Sequence, residues 1–218
     1  MSLVVGFDLD MTLIDARPGM AAAMDALAGE SGLPLDGAHF AANLGPPLDA
    51  VLRGFEAPEE RIPGLVDRFR ALYPTVVIPS TLALPGAAEA LDAVKARGGR
   101  TLVVTGKYGP NAARHLRQFG WEVDALVGEA WAEAKGVALR EHGAGIYVGD
   151  HGGDVLGAKV AGAVAVGVAT GPYTAEQLLA EGADVVLDSL TGFPAWLDGY
   201  LAATGADGAH HGEHQAQR

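Results

Sequence analysis

Two aspartates one residue apart, Asp8 and Asp10, end the first apolar run of the chain and are followed by Thr12. Carboxylates this close repel each other unless a proton or a cation lies between them. A hard divalent cation with oxygen ligands meets that need, and Mg²⁺ in such sites keeps waters and a substrate phosphate in its shell. A second acidic pair stands in Gly149-Asp150-His151-Gly152-Gly153-Asp154. Its glycines let the backbone approach closely, and a helix start there favours an anion. Thr105-Gly106-Lys107 offers a hydroxyl and backbone amides suited to a phosphoryl oxygen. Lys135 offers a cation that can neutralise phosphate or crowded carboxylates.

Something must bring these segments together. Short apolar, β-branched runs recur at Leu3–Phe7, Thr101–Val104, Ala125–Val127, Ile146–Val148, Val164–Val168 and Val185–Leu187. Helical patterns lie between them, over Pro85–Arg97, Pro110–Phe119, Glu133–Glu141, Gly153–Ala161 and Ala175–Ala180. Strands that alternate with helices predict a doubly wound α/β fold, a parallel sheet covered on both faces. Ligands bind such sheets at the carboxyl ends of the strands. Asp8, Thr105 and Asp150 each follow a predicted strand, so one sheet edge collects them.

Residues 15–84 break the alternation. They carry amphipathic patterns over Pro18–Ala28, Pro47–Phe55 and Pro58–Leu72, with Val76–Ile78 as the single strand-like run. This predicts a helical cap inserted into a core made of residues 1–14 and 85–202, placed to act as a lid. The end of the chain, 203–218, is small and polar and reads as a disordered tail. His210, His211 and His214 there have a spacing that matches no defined metal site.

Composition narrows the function classes. Fifteen basic and 27 acidic residues give a formal charge of −12, which disfavours nucleic acid and anionic membrane surfaces as partners. The absence of cysteine excludes a disulfide framework, a zinc–thiolate site and a cysteine nucleophile. The N-terminal MSLVVGFDLD lacks a basic stretch and its apolar run is short, so no signal peptide or membrane span is expected and a cytoplasmic protein is. Two alternative motifs fail. A calcium loop starting at Asp8 would need Gly where Leu13 stands and Glu where Gly19 stands. A P-loop ending at Lys107 would need Gly at Thr101 and Ser or Thr at Tyr108.

The four segments, in this order, resemble the motifs of haloacid dehalogenase superfamily phosphatases. Val4-Val5-Gly6-Phe7-Asp8-Leu9-Asp10-Met11-Thr12 is similar to the first, Thr105 to the second, Lys135 to the third, and Gly149–Asp154 to the fourth. The insertion resembles the helical cap of the phosphoglycolate phosphatase-like branch, and Leu84–Leu91 that branch's return to the core. One departure is Lys135-Gly136, where many relatives have Lys-Pro.

The resemblance implies an Mg²⁺-dependent hydrolase of small phosphomonoesters. Asp8 would attack phosphorus, and Asp10 would act as general acid and then general base. Thr105, Gly106 and Lys135 would hold the phosphoryl group. Asp8, the backbone carbonyl of Asp10, and Asp150 would bind the ion, with Asp154 in support. Asp10 disfavours a true dehalogenase, which lacks that aspartate. The insertion contains no lysine, which disfavours a phosphonoacetaldehyde hydrolase. A sugar phosphomutase of the same architecture and a catalytically silent binding module stay open. A phosphoacceptor signalling domain would be shorter and capless. The insertion supplies Arg17, Arg53, Arg61, Arg68 and Arg70 as cations. Arg17, closest to the first motif, is the expected substrate contact, with His39, Asn43 and Gly45-Pro46-Pro47 as further candidates. Trp121 and Trp131 are expected at the sheet periphery. The expected partner is a small phosphorylated metabolite, bound by a monomer or homodimer.

Overall fold

The structure, a computed structural model, describes residues 2–210. Six parallel strands form the main sheet: β1 (Val4–Phe7), β4 (Arg100–Val104), β5 (Ala125–Val127), β6 (Ile146–Gly149), β7 (Val164–Val168) and β8 (Val185–Leu187). Their order is β5-β4-β1-β6-β7-β8. The chain fills the sheet on one side of β1, then returns to fill the other. The switch point therefore lies between β1 and β6, the place where open α/β sheets bind ligands.

Apart from Arg100 and Thr101 at the start of β4, the strands carry almost no polar side chains, because both faces are covered. Successive residues of β1 divide between the faces as a two-residue period requires. Val5 and Phe7 join one buried cluster with Val103 and Val148, while Val4 joins the other with Leu102, Val104 and Tyr147. On the first face pack α5 (Ala87–Ala96), α6 (Gly109–Gln118) and α10 (Phe193–His210), through Leu91, Leu116 and Leu197. On the second lie α7 (Glu133–His142), α8 (Gly152–Ala161) and α9 (Ala175–Glu181), through Leu139, Val155 and Leu178. Helix α10 runs to His210, so helix replaces the irregular tail expected from 203. His211 and His214 lie outside the described residues.

Between β1 and α5 the chain forms α1 (Arg17–Ser31), α2 (Gly37–Ala42), α3 (Leu48–Gly54) and α4 (Ile62–Val76). The two strands that lead into and out of this segment, β2 (Ile14–Asp15) and β3 (Leu82–Ala83), pair with each other in antiparallel fashion. The strand-like run Val76–Ile78 is not a strand. Val76 ends α4, and Ile78–Ser80 forms a 3₁₀ turn. Pro79 cannot donate to a ladder, and Val77 completes the apolar face of α4 instead. The helical segment shares one apolar cluster with the sheet, in which Met24, Phe40, Leu52 and Phe69 continue the packing of Phe7 and Val103. Among the described residues no helix is long and apolar enough to cross a membrane.

Candidate active site

Three adjacent strands, β4, β1 and β6, end side by side and deliver Thr105, Asp8 and Asp150 to one edge. The ladder carries past the strands themselves. Asp8 donates its N–H to the Val148 carbonyl at 2.8 Å, and Thr105 donates to Val127 at 2.9 Å. After Asp8 the chain folds into a tight loop in which Leu13 and Ile14 both donate to the Leu9 carbonyl. Met11 sits at φ 59° in that loop, an uncommon conformation for a non-glycine residue. Its carbonyl accepts a 2.5 Å bond from the Thr170 hydroxyl, which holds the loop against the turn after β7. Thr12 is thereby placed to donate to Asp150 Oδ1 at 2.8 Å.

Asp8, Asp150 and Asp154 are buried together, each with a carboxylate oxygen within 4.8 Å of the others. The Asp154 carboxylate is saturated. Oδ1 accepts from Lys135 Nζ at 2.5 Å and from the Tyr147 hydroxyl at 3.3 Å, and Oδ2 accepts the N–H groups of Asp150 and His151. Asp8 Oδ1 is buried and ion-paired with Lys135 Nζ at 3.0 Å. Burial pushes the Asp8 carboxyl above its ordinary range against the pull of Lys135, and the Asp154 charge adds to the rise. Burial also drives Asp150 well up, with Asp154 and Asp8 contributing. One lysine thus faces three buried carboxylates. Three buried carboxylates around a single ammonium are a donor set that a hard divalent cation with oxygen ligands would satisfy. Asp8 and Asp150 fit as direct ligands, whereas Asp154 is occupied in orienting Lys135. The carboxylate of Asp10 lies outside this cluster. It turns to Lys107, with Oδ2 at 2.9 Å from Nζ, so only its backbone carbonyl could serve an ion.

Lys135 reaches the cluster from α7 because the preceding loop is forced inward. Glu129 and Ala132 both have positive φ, at 58° and 49°. The glycine that follows Lys135 has a packing reason. A Cβ on Gly136 would stand 2.5 Å from Val160 Cγ1 and 2.7 Å from the Gly157 carbonyl, so glycine lets α7 lie against α8. The same loop brings in Trp131, which corrects the expectation that it packs at the sheet periphery. Its ring lies 5.1 Å from His151, and a Cβ on Gly45 would collide with it at 2.7 Å. Gly45 itself is at φ 141°, which a residue with a side chain rarely adopts. Trp121 does stay away from the site, stacked on Phe119 at 4.8 Å.

Two cavities meet here. A small one of about 20 Å³ is lined by Asp8, Thr105, Lys135, Asp150 and His151. A larger one of about 330 Å³ lies under the inserted helices and includes Phe40, Phe69, Arg70 and Tyr108. Asp10, Gly45, Gly106 and Lys107 line both. The Thr105 hydroxyl accepts the Lys107 N–H at 3.2 Å, and no described residue takes its proton.

Arg17 is absent from both cavities. Asp15, two residues earlier, holds its guanidinium through bonds of 2.9 and 2.6 Å and accepts its N–H as well. Arg53 and Arg68 are likewise paired, with Asp49 and Glu59 and with Glu30, and Arg61 donates to the Ser31 carbonyl. Of the five arginines in the insertion, Arg70 alone lines the larger cavity, 3.8 Å over the Tyr108 ring. Gly45, Pro46 and Pro47 line it too, whereas His39 packs edge-on against Phe55 and Asn43 bonds the His39 carbonyl. Lys107 is the residue sequence reasoning missed. Its place in the turn after the second core strand is visible in the sequence, but its buried pairing with Asp10 lies beside Tyr73 of α4, whose ring is 5.1 Å from Nζ. Tyr73 also bonds His115 Nε2 at 2.7 Å, tying the inserted helices to α6.

Comparison with known proteins places the chain in a family. A family model described as haloacid dehalogenase-like hydrolase matches residues 3–162. A protein named "Probable phosphatase IndB" from Dickeya dadantii is 30% identical over 210 residues, covering 88% of this chain and 91% of its own. A phosphoglycolate phosphatase from Caulobacter vibrioides is 31% identical over 210 residues, with coverage of 87% and 88%. Among solved structures, a "predicted phosphatase from Clostridium acetobutylicum" superposes with a TM-score of 0.78 at 22% identity, covering 90% of this chain and 98% of that one, a likeness of fold. The chain belongs to the haloacid dehalogenase-like hydrolase family, in the branch of phosphatases that includes this phosphoglycolate phosphatase.

Proposed function

We propose that the protein hydrolyses phosphomonoesters through a phosphoryl group carried on Asp8, with Mg²⁺ as cofactor. The observation that carries this reading is the Asp8 carboxylate, buried in one cluster with Asp150 and Asp154, beside a small polar cavity and 3.0 Å from Lys135. A carboxylate oxygen of Asp8 attacks phosphorus in line, and the bond from phosphorus to the ester oxygen breaks. The electron pair stays on the leaving oxygen, which takes a proton from Asp10. Asp10 then removes a proton from water as that water attacks the phosphoryl group, and Asp8 is released as a carboxylate.

Asp10 is suited to both duties. Burial raises its carboxyl above the ordinary range, so a proton is more readily held there, while Lys107 pulls the other way and stabilises the ionised form. Thr105 and the Gly106 backbone line the small cavity where phosphoryl oxygens would rest, and Lys135 supplies charge to the same place. Asp8, the Asp10 carbonyl and Asp150 would hold Mg²⁺, with Asp154 fixing Lys135. Bound there, the ion would offset the carboxylate charge and stabilise charge on a phosphoryl oxygen.

The experiment is phosphate release from a panel of phosphomonoesters, with Mg²⁺ and with EDTA, using Asp8→Asn as the blank. Metal-dependent release that vanishes in the variant is expected. Equal turnover by Asp8→Asn would overturn the reading.

A further inference from the structure

The two cavities differ in kind as well as size. The small one, about 20 Å³, is walled by carboxylates, a hydroxyl and Lys135. The larger one, about 330 Å³, is walled by Met20, Phe40, Leu44, Leu48, Val66 and Phe69. At roughly 30 Å³ of liquid volume per water, the larger chamber has room for about eleven waters. A two-carbon leaving group such as glycolate needs about a third of that.

The cations of the chamber are already paired, and most of its wall is apolar. Lys107 is paired with Asp10, and Asp49 with Arg53. Asn111 Oδ1 accepts from Arg114, and Arg70 lies flat on Tyr108 with Nη2 3.4 Å from Glu129. A second phosphate would find no unpaired cation there among the described residues. A hydroxyl-rich body would lie mostly against apolar side chains, at a cost for each polar group left unmatched.

We propose that the substrates are phosphate esters of bulky, predominantly apolar alcohols, with a carbon skeleton about the size of an aromatic ring or larger. The phosphoryl group sits against Asp8, Thr105 and Lys135 where the two cavities meet, and the apolar body fills the chamber under the inserted helices. This inference rests on the phosphomonoesterase reading above. It separates the chain from its phosphoglycolate-hydrolysing relatives by the volume and lining of one chamber, and it disfavours a sugar phosphomutase, which must hold phosphate at both ends of its intermediate.

The test is kcat/KM for 2-phenylethyl phosphate, ethyl phosphate and phosphoglycolate in one Mg²⁺ buffer. The first two release primary alkoxides, so the comparison isolates the body of the leaving group. The expected result is that 2-phenylethyl phosphate exceeds ethyl phosphate by at least about tenfold, the least that burying a ring-sized apolar group contributes. Val66→Phe, which adds a ring to the chamber wall, is expected to bring that ratio towards one. The ratio is taken within one preparation, so it does not depend on the fraction folded, and the wild-type ratio decides the matter if the variant does not fold. Ethyl phosphate or phosphoglycolate equal to or better than 2-phenylethyl phosphate would overturn the inference and leave the phosphatase reading standing. Failure to hydrolyse any ester would overturn that reading, and the inference with it.

Discussion

Replacing Lys135 with Met tests the electrostatics of the site through stability alone. The side chain is 1% exposed, and its Nζ lies 3.0 Å from Asp8 Oδ1 and 2.5 Å from Asp154 Oδ1. Methionine keeps much of its length and fills its path, so packing changes little while the one cation, among the described residues, paired with this buried carboxylate cluster disappears. Removing one partner of a buried ion pair costs about 3–5 kcal/mol. For a chain of this size each kcal/mol lowers Tm by roughly 2–4 °C, so a fall of roughly 6–20 °C is expected in EDTA. An ion that binds the folded state at a hundred times its Kd returns about 2.7 kcal/mol, so saturating Mg²⁺ restores at least half of the loss. Thermal melting of both proteins, with EDTA and with Mg²⁺, reads both effects. A variant that melts within about 2 °C of the wild type in EDTA would refute the reasoning, because the cluster would then not need Lys135.

Three further outcomes follow from the same geometry. Asp10→Asn slows turnover of alkyl phosphates by roughly 10²–10⁴, the usual worth of general acid–base catalysis. With p-nitrophenyl phosphate, whose leaving group needs no proton, the variant still gives a burst of nitrophenolate in rapid-mixing measurements. Gly136→Ala drives a methyl to 2.5 Å from Val160 and 2.7 Å from the Gly157 carbonyl, and denaturant titration shows it less stable by about 1–3 kcal/mol. The metal-free protein loses stability as pH rises. Asp8 and Asp150 have folded-state values above the ordinary 3.8, so their contribution is fully present below that value and is lost as pH climbs through the raised ones. The stabilisation by Mg²⁺ therefore grows with pH over that range, which melting curves at several pH values check.

The parallel sheet was legible because its signal is repetitive, and each short apolar run outside residues 15–84 fell on a strand. The ends of those runs also located Asp8, Thr105 and Asp150 at one edge, since parallel strands share a direction. Residues 15–84 were harder. Their helical character was visible, but the face each helix turns inward depends on tertiary packing that a single amphipathic pattern does not encode. Arg17 was favoured for its nearness in sequence to Asp8, whereas Asp15 captures it locally and Arg70, far along the chain, reaches the chamber. Trp131 was misplaced because a non-glycine residue with positive φ, Ala132, leaves no mark in the sequence. The pairing of Lys107 with Asp10 was hidden for another reason. Burying it takes Tyr73 from an element more than thirty residues away in the chain.

The central claim is that the phosphoryl group passes through Asp8. Its most direct test is to quench Asp10→Asn during turnover of p-nitrophenyl phosphate and map the modified peptide by mass. The account predicts one added phosphoryl group on Asp8 and none in the Asp8→Asn, Asp10→Asn double variant. A phosphoryl group on any other residue, or undiminished phosphate release from Asp8→Asn, would contradict it.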